Sequence, residues 1–240
     1  NDIYSALTIS KSFPKNKGVV IVKHTNPCGA AVKENNLDSY ISALSCDPIS
    51  AFGGIISCNF KLTQNIAEEL NKLFLEVVIA NGFTDNALKI LKRKNNIRLI
   101  DAKNYKLSEI FKFLSFNKEI LIQSEDLKKF SNKDFKIVSK KRPTSKQIKD
   151  LIFAFNICKY VKSNAIVLAS NQTTVGIGSG QTSRLDSCQI AINKMKKFNH
   201  NNENLVAASD AFFPFVDGFE KLIQTGVRAV IQPSGSIKDK

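Results

Sequence analysis

A lysine and a histidine stand side by side at the end of an apolar run, and this pair could carry out proton chemistry. Lys23-His24 follows Val19-Val20-Ile21-Val22, whose β-branched residues predict a strand buried on both faces, as in a parallel sheet. In open α/β sheets, ligands bind outside the carboxyl ends of the strands, where this pair would lie. An imidazole can accept or release a proton near neutral pH. The pair is therefore a candidate acid–base site, and the alternative is a strand end with an extended lysine and a hydrogen-bonded histidine.

A glycine-rich segment in the second half of the chain could bind an anion. Gly176-Ile177-Gly178-Ser179-Gly180 precedes Ser183-Arg184 and a predicted helix. The backbone N–H groups at the start of a helix bind phosphate, and a hydroxyl and a guanidinium would add to that binding. The spacing lacks the third glycine of G-x-G-x-x-G, so NAD is not predicted as a cofactor. A nucleotide-dependent oxidoreductase that uses this segment is therefore a rival interpretation with little support.

Two further segments combine polar and aromatic side chains. Lys162-Ser163-Asn164 puts an amide, both donor and acceptor, at a helix-to-strand junction, where the alternative role is helix capping. Residues 209–215 contain three phenylalanines and a proline, which form either part of the core or an aromatic wall for a flat heterocycle, with Asp210 and Asp217 as polar anchors. Pro27-Cys28-Gly29-Ala30 has neither the second cysteine nor the H-x-E of a zinc deaminase, so no zinc is predicted.

Alternating apolar patterns predict the elements that position these residues. Strands and helices alternate through residues 1–100, which favours an α/β layered fold with parallel pairing. Residues 101–140 lack clean periodicity and are interpreted as a connection that contains at most short elements. Thr144 and Gln147 have the spacing of a capping box, and they open the clearest helix of the chain. After this helix, residues 165–169 and 174–177 are predicted as the paired strands of a hairpin. We therefore predict two α/β subdomains, residues 1–100 and 141–240, joined by the irregular middle.

Composition narrows the class of protein. The 240 residues are 43% hydrophobic, with no apolar run that would span a bilayer and no secretory leader, so no membrane association is expected. Five scattered cysteines without a CxxC pair indicate a reducing compartment, the cytoplasm. A net charge of +14 is typical of nucleic-acid binding, but the Lys-rich pieces carry few aromatics and match no nucleic-acid fold. A basic nucleic-acid-binding module is the alternative function, and the preferred interpretation is a charged surface without a nucleic-acid partner.

Six segments of the chain can be compared together with known families. They are Lys23-His24-Thr25-Asn26-Pro27-Cys28-Gly29, Ser50-Ala51-Phe52-Gly53-Gly54, Lys162-Ser163-Asn164-Ala165, Gly178-Ser179-Gly180-Gln181-Thr182-Ser183-Arg184, residues 209–215 and Gln232-Pro233-Ser234-Gly235-Ser236. With these segments in this order, the sequence resembles the bifunctional purine-biosynthesis enzyme in which AICAR transformylase is joined to IMP cyclohydrolase. The resemblance covers essentially the whole chain, but only the transformylase half of that enzyme. It implies two cytidine-deaminase-like α/β subdomains with mixed sheets, and a homodimer with active sites shared across its interface.

The resemblance also implies a reaction and residues that perform it. The family transfers a formyl group from 10-formyltetrahydrofolate, its cosubstrate, to the amino group of AICAR, giving FAICAR. His24 would assist removal of the amine proton, Lys23 would stabilise developing negative charge, and Asn164 would orient the substrate. The implied substrate-binding residues are Arg184, Phe212, Glu76 and Asp217. The implied folate-side residues are Phe52, Gly53, Leu185 and Pro214, and a potassium ion would lie near Ser163 and Asp210.

The sequence departs from the family pattern in three respects. The cyclohydrolase domain, which would close FAICAR to IMP, and an Arg-Tyr-Gly segment would both precede residue 1. The family's Arg/His-rich end would follow Lys240. Asn81 stands where the family commonly has proline, and Thr182 where it often has a larger apolar residue. We therefore expect a fragment of a longer multifunctional protein, one that is not competent alone.

Overall fold

The computed structural model describes residues 1–107, 111–198 and 204–237, and a nine-stranded mixed sheet dominates it. Helices cover both faces of this sheet, and a separate hairpin lies in the middle of the chain.

The elements of residues 1–101, called the first unit, are α1 (Asp2–Ser12), β1 (Val19–Lys23), β2 (Asn26–Ala31), α2 (Asn36–Cys46), β3 (Gly54–Cys58), α3 (Gln64–Leu70), β4 (Leu75–Ala80), α4 (Asp85–Leu91) and β5 (Arg98–Asp101). The separate hairpin consists of β6 (Phe111–Phe116) and β7 (Glu119–Ser124). The elements of residues 145–231, called the second unit, are α5 (Ser145–Cys158), β8 (Ile166–Ser170), β9 (Thr173–Gly178), α6 (Arg184–Lys197), β10 (Val206–Ser209), α7 (Asp217–Gln224) and β11 (Ala229–Ile231).

The large sheet combines both strand directions. Its order is β11-β10-β8-β9-β2-β1-β3-β4-β5, in which β3, β4 and β5 are parallel, as are β10 and β11. The other neighbours pair antiparallel. The predicted α/β class with mixed sheets is thus confirmed. The assignments to two subdomains and to a cytidine-deaminase-like fold stay predictions.

The prediction of parallel pairing around the first strand is wrong. Residues Val19–Val22 of β1 are fully buried, but β1 runs antiparallel to both of its neighbours, β2 and β3. Burial on both faces selects Val and Ile in either strand direction, so the composition of the run does not encode its pairing. After β1 the chain turns at residues 24–25 and continues as β2 from Asn26.

The two units follow the same sequence of elements. Each contains a helix, a two-stranded hairpin, a second helix, and then a strand, a helix and a strand that pairs parallel with the strand before it. The first unit continues with α4 and β5, which have no counterpart among the described elements of the second. In each, the first hairpin strand also pairs antiparallel with the third strand of the unit. The units join in one sheet where β2 pairs antiparallel with β9, with Ala31 opposite Thr173.

The middle of the chain and the second unit follow the sequence prediction closely. The described part of residues 101–140 contains the hairpin β6–β7, whose residues are all exposed, and a 3-10 turn, Asn132–Asp134. Helix α5 has the predicted capping box, since Gln147 N donates to Thr144 Oγ1 at 3.2 Å and Thr144 N donates to Gln147 Oε1 at 2.8 Å. The predicted strand pair after this helix is the hairpin β8–β9.

Apolar side chains fill both faces of the sheet and form three buried clusters. Val20 and Val22 of β1 point to the cluster shared with α1 and α5, whereas Val19 and Ile21 point to the cluster under α2, α3 and α4. This alternation is the period of two that a strand imposes on its side chains. A third cluster lies under α6 and α7. Among the described residues, no helix has the length and apolar character needed to cross a membrane.

Candidate active site

The six motif segments lie along one edge of the large sheet, which we call the site edge. Strand β1 ends there and β2 begins there, since Lys23 pairs with Asn26. The antiparallel registers put the starts of β3 and β8 and the ends of β9 and β10 at the same edge. The carboxyl ends of β1, β9 and β10 therefore lie at this edge, together with the amino ends of β2 and β8. The same edge carries the amino ends of β3 and β4, because β1 is antiparallel to β3, which is parallel to β4.

His24 and Thr25 form the two-residue turn between β1 and β2, called the first turn. Both have positive φ, 50° and 63°, as a type I′ hairpin turn requires. Both backbone N–H groups donate to one carboxylate, that of Asp2 on α1, over 2.8 Å from His24 and 3.0 Å from Thr25. The imidazole lies on an exposed residue at the tip of this turn. The fold thus presents His24 to solvent at a fixed point of the site edge.

Lys23 connects the first turn to the predicted folate side. Its Nζ donates to the carbonyl of Phe52 at 2.8 Å. The exposed ring of Phe52 packs on that of Phe74, with ring centroids 5.1 Å apart. Gly53 follows with a φ of 72°, a left-handed conformation that glycine adopts without steric cost. Lys23, His24, Phe52 and Gly53 therefore lie together, as their predicted roles require.

Asn164 and Arg184 form the second part of the site. The Asn164 side-chain nitrogen donates to the carbonyls of Gln181 and Thr182, at 2.8 and 3.1 Å. Its Oδ1 accepts from Nη2 of Arg184 at 2.6 Å, and Nη1 of Arg184 donates to Oδ1 of Asp210 at 2.5 Å. The side chains of Arg184 and Asp210 are only 10% and 15% exposed. The network therefore orders the amide of Asn164 by hydrogen bonds that leave little freedom to its side chain.

Asp210 is the acceptor at the centre of this network. Its carboxylate also accepts hydrogen bonds from Ser163 Oγ and from Ala165 N, the latter at 3.0 Å. Burial alone would raise the pKa of Asp210, but the hydrogen bonds from Ser163, Arg184 and Ala165 and the charge of Arg184 outweigh it, so the pKa is lowered. Arg184 also donates to Ser209 Oγ at 2.8 Å. The network holds an ionised carboxylate opposite a buried guanidinium.

Asn26 joins the two parts of the site. Its Nδ2 donates to the carbonyl of His24 at 3.0 Å, and its Oδ1 accepts from the backbone N of Lys162 at 2.9 Å. Lys162 precedes Ser163-Asn164, whose peptide bond is cis. Sequence reasoning quoted Asn26 within its motif but gave it no role. The structure shows that its amide bridges the first turn to the segment that carries Asn164.

The remaining predicted residues surround these two parts. Glu76 is exposed near the start of β4, two strands from β1. Phe212 and Pro214 are exposed in the loop after β10, and the buried Phe213 beside them anchors that loop by donating its N–H to Gln232 Oε1 at 3.0 Å. The other two lie at the starts of helices: Leu185 is half-buried in α6 and Asp217 is exposed in α7.

The donor set predicted for potassium is already occupied by hydrogen bonds within the protein. One carboxylate oxygen of Asp210 accepts from Ser163 Oγ, and the other accepts from Ala165 N and Arg184 Nη1. A guanidinium this close opposes a second cation electrostatically. These residues, in this arrangement, do not fit a potassium site. The predicted potassium ion therefore has no role in the function proposed below. Within the described ranges, no group of three or more His, Cys, Asp or Glu side chains could hold a metal ion.

A cleft of about 540 Å³ adjoins the site between α1, the hairpin β6–β7 and the end of α5. Its lining includes Thr25, Asn26 and Lys162 but excludes Lys23, His24 and Asn164. The cleft therefore lies beside the proposed catalytic groups and does not enclose them.

The two unusual residues of the sequence have different surroundings. Asn81 lies at the opposite edge of the sheet, where it accepts from Lys11 Nζ at 2.6 Å and donates to Asn59 Oδ1 at 3.1 Å. Asparagine in place of proline thus supplies side-chain hydrogen bonds to a polar network away from the site. Thr182 is exposed at the site edge, and its contact with Asn164 uses the backbone carbonyl, which any residue supplies.

Sequence reasoning missed two acidic residues, Asp2 and Asp47, that hold the loops of the site. Asp2 resembled an ordinary acidic residue in the first turn of a helix. Asp47 follows α2, is 4% exposed, and pairs with Lys194 of α6 at 2.7 Å. Asp47 also accepts from Ser50 N at 2.9 Å, in the loop that carries Phe52. These contacts join residues far apart in the chain, and no local pattern identifies them.

Comparison with known proteins gives a family. The family model described as AICARFT/IMPCHase bienzyme matches residues 1–194. The chain is 43% identical over its whole length to the bifunctional purine biosynthesis protein PurH of Acetivibrio thermocellus, and covers 46% of that protein. It is 47% identical over 98% of its length to PurH of Buchnera aphidicola, covering 45%, and 41% identical over its whole length to PurH of Aquifex aeolicus, covering 46%. The chain thus spans about half the length of the curated relatives it matches.

A solved structure also aligns with the chain. The dCMP deaminase from the cyanophage S-TIM5, in apo form, aligns over 41% of this chain and 92% of its own, with a TM-score of 0.30 and 11% identity. A similarity at this level supports no argument. The family matches confirm the resemblance inferred from the motifs, and they give no support to a nucleic-acid-binding module. The match over residues 1–194 shows that the chain belongs to the AICARFT/IMPCHase bienzyme family.

Proposed function

We propose that the complete protein transfers a formyl group from 10-formyltetrahydrofolate to the amino group of AICAR. The observation that supports this best is the connection of the Lys23-His24 turn to both neighbouring parts of the site. Lys23 donates to Phe52 on the proposed folate side, and Asn26 bridges His24 to the segment that carries Asn164. The family match over residues 1–194 supports the choice of this reaction for the site.

The proposed reaction forms one carbon–nitrogen bond and breaks another. The amine of AICAR attacks the formyl carbon, and the carbonyl oxygen becomes negatively charged. The amine is a weak base and must lose a proton as the new bond forms, so the His24 imidazole accepts that proton. The Lys23 ammonium stabilises the developing negative charge. The bond from the formyl carbon to the folate nitrogen then breaks, and that nitrogen takes up a proton, which releases tetrahydrofolate.

The other residues bind and orient the two substrates in this proposal. The amide of Asn164 holds the carboxamide of AICAR, and Arg184, Phe212, Glu76 and Asp217 bind the nucleotide. Phe52, Gly53, Leu185 and Pro214 form the folate side. Preorganisation favours this assignment, since the Asn164 and Arg184 side chains are already fixed by Asp210 and the Gln181 carbonyl.

A homodimer is the proposed assembly, with the hairpin β6–β7 in its interface. Both faces of this hairpin carry exposed large apolar side chains, namely Phe111, Phe113, Leu114, Phe116, Ile120, Leu121 and Ile122. A two-stranded hairpin is marginally stable alone in water, and contiguous apolar surface of this kind marks interaction sites. We expect Phe113→Asp with Leu114→Asp to shift the complete protein from dimer to monomer in sedimentation-velocity experiments. An unchanged dimer would place the interface elsewhere.

The remaining proposals concern the whole protein. By analogy with the bifunctional relatives, a further domain would close FAICAR to IMP. The five cysteines are all free thiols in the structure, which suits the cytoplasm, the proposed compartment.

The test is formyl transfer with purified complete protein. AICAR and 10-formyltetrahydrofolate are mixed with enzyme, tetrahydrofolate release is followed by absorbance, and FAICAR is identified by mass. Neither product should form without AICAR. Absence of FAICAR, together with salt-sensitive binding to an RNA or duplex oligonucleotide, would favour the nucleic-acid alternative.

A further inference from the structure

We infer that Asp2 is a positioning residue for the Lys23-His24 pair, an inference that rests on the proposed function. Its two carboxylate oxygens accept the two N–H groups of the first turn separately, Oδ2 from His24 at 2.8 Å and Oδ1 from Thr25 at 3.0 Å. Hydrogen bonds to an ionised acceptor are shorter and stronger than those between neutral groups. We call this pair of hydrogen bonds the carboxylate clamp.

The first turn needs such a contact because its sequence does not favour its conformation. A type I′ turn requires positive φ at both central residues and is dominated by Asn, Asp and Gly. His24 and Thr25 have φ of 50° and 63°, and positive φ is uncommon for a β-branched residue such as Thr. Residues in sparsely populated conformations persist where the surrounding structure fixes them, and they cluster at active sites. The clamp supplies that fixation at the residue that carries the imidazole.

Asp2 is well placed to hold the turn because its helix is anchored. Asp2 is the first residue of α1, whose Ala6, Leu7 and Ile9 are buried in the apolar cluster that also contains Val20 and Val22 of β1. The clamp therefore joins the tip of the hairpin to a helix that packs on the hairpin's own first strand. Loss of the clamp would free the backbone of residues 24–25 while leaving this packing in place.

The second unit contains the same clamp without a proposed catalytic side chain. Asn171 and Gln172 form the turn between β8 and β9, called the second turn, each with φ of 52°. Their N–H groups donate to Asp150 of α5, at 2.9 and 2.6 Å. Asp2 precedes its two donors by 22 and 23 residues, and Asp150 precedes its donors by 21 and 22. The second turn lies at the edge opposite the site, because β9 is antiparallel to β2.

This internal pair makes a matched experiment possible. Asp2→Ala, Asp2→Asn, Asp150→Ala and Asp150→Asn are each introduced into the complete protein, and formyl transfer is measured with the unfolding midpoint. We expect Asp2→Ala to lower kcat by about 100-fold, the loss typical of a reacting group misplaced by about 1 Å. The KM for AICAR should change by less than about twofold, because the clamp contacts no substrate. Asp2→Asn keeps one acceptor oxygen and should lie between wild type and Asp2→Ala.

The Asp150 variants separate positioning from stability. They should lower the unfolding midpoint at least as much as the Asp2 variants, because Asp150 is 1% exposed, yet keep kcat within about twofold of wild type. Equal loss of kcat in both Ala variants, in proportion to lost stability, would overturn the inference. So would an unchanged kcat in Asp2→Ala.

Hydrogen exchange decides whether the clamp exists, independently of any activity. Mass spectrometry of peptides that cover residues 20–27 and 168–174 reports the amides of the two turns. We expect Asp2→Ala to speed exchange only in the first peptide and Asp150→Ala only in the second. Protection that survives Asp2→Ala would overturn the clamp itself. If wild type is protected and Asp2→Ala loses that protection, but wild type shows no formyl transfer, the proposed function is overturned and the clamp stays intact.

Discussion

The two units of this chain are built alike, yet they contribute opposite ends to the proposed site. In both, a carboxylate from the first helix holds the hairpin turn, and the second helix approaches a glycine of the second hairpin strand. A Cβ on Gly29 would lie 2.0 Å from the carbonyl of Ala43, and one on Gly176 would lie 2.2 Å from that of Ala191. The antiparallel contact of β2 with β9 then reverses one unit relative to the other. The site edge therefore receives the turn of the first unit and the open end of the second.

The two ends differ in how their polar groups are satisfied. The first unit presents His24 on an exposed turn, whereas the second unit buries Arg184 against Asp210 and fixes Asn164 by hydrogen bonds with Arg184 and with the Gln181 carbonyl. Exposed groups are free to meet a substrate, and buried, fully paired groups give a rigid frame. The comparison teaches that changes at the exposed first turn should act on turnover, whereas changes in the buried Arg184–Asp210 pair should act mainly on stability.

The largest expected effect is the loss of turnover when either member of the proposed catalytic pair is removed. His24→Ala and Lys23→Ala should each lower kcat by about 10²- to 10⁴-fold, because proton transfer and charge stabilisation act in the transition state. The free energy of unfolding should change by less than about 0.5 kcal/mol for His24→Ala, since the residue is exposed. Steady-state formyl transfer and urea titration measure the two quantities.

The second turn provides the control for this prediction. Asn171→Ala alters the residue at the corresponding position of the other hairpin and should leave kcat unchanged. A near-wild-type kcat for His24→Ala would contradict the catalytic assignment but not the family. The Arg184→Ala variant is less informative, because it also leaves the carboxylate of Asp210 without its ion-pair partner.

A smaller effect, on stability, is expected at the centre of the second unit. Asp210→Asn should lower the free energy of unfolding by about 3 kcal/mol, because it leaves the 10%-exposed Arg184 side chain without a counter-charge. Urea denaturation of the complete protein measures the change. The matched control is Glu69→Gln, which breaks the exposed pair with Lys72 and should leave the free energy nearly unchanged. Equal effects of the two changes would mean that the network does not stabilise the second unit.

Sequence patterns identified the elements far better than their pairing. Helix α1 and the hairpin β8–β9 follow from local periodicity, and α5 from its capping box, because each depends on nearby residues. The first turn was missed because His-Thr is not a turn signature, and its conformation depends on Asp2, 22 residues earlier. Local sequence cannot report a contact of that kind.

The candidate site was predicted in the same uneven way. Lys23, His24 and Phe52 came from motifs and lie together, as do Asn164, Arg184 and Asp210. The sequence did not reveal that Arg184 is held by Asp210, or that Asn26 bridges the two parts of the site, because both contacts join segments brought together only by the sheet order.

A still smaller loss of stability should be equal in the two units when their matched glycines are replaced. Gly29→Ala and Gly176→Ala should each lower the free energy of unfolding by about 2 kcal/mol, because the added methyl would overlap a helix carbonyl and force the helix outward. Gly180→Ala is the control, since a Cβ there meets nothing within 4 Å and only its φ of +70° is unfavourable, costing about 1 kcal/mol. A loss in only one unit would show that the shared glycine contact is not equivalent in the two units.

The smallest expected effect concerns the ion pair between the units, whose stabilising contribution is lost in acid. Burial alone would raise the pKa of Asp47, but Lys194 and the hydrogen bonds from Ser50 outweigh it and lower the pKa below the ordinary 3.8. A carboxyl group with a lowered native pKa stabilises the fold above its unfolded value, and this contribution is lost as the pH falls towards the native pKa. The free energy of unfolding should therefore fall below about pH 4, where the unfolded state binds protons first.

Urea titrations from pH 7 to pH 3 would show a shallower fall for Asp47→Asn than for wild type, with the two curves converging in acid. Asp38→Asn, an exposed control on the preceding helix, should keep the wild-type slope. Parallel curves for wild type and Asp47→Asn would mean that the Asp47–Lys194 pair contributes nothing to the coupling of the two units.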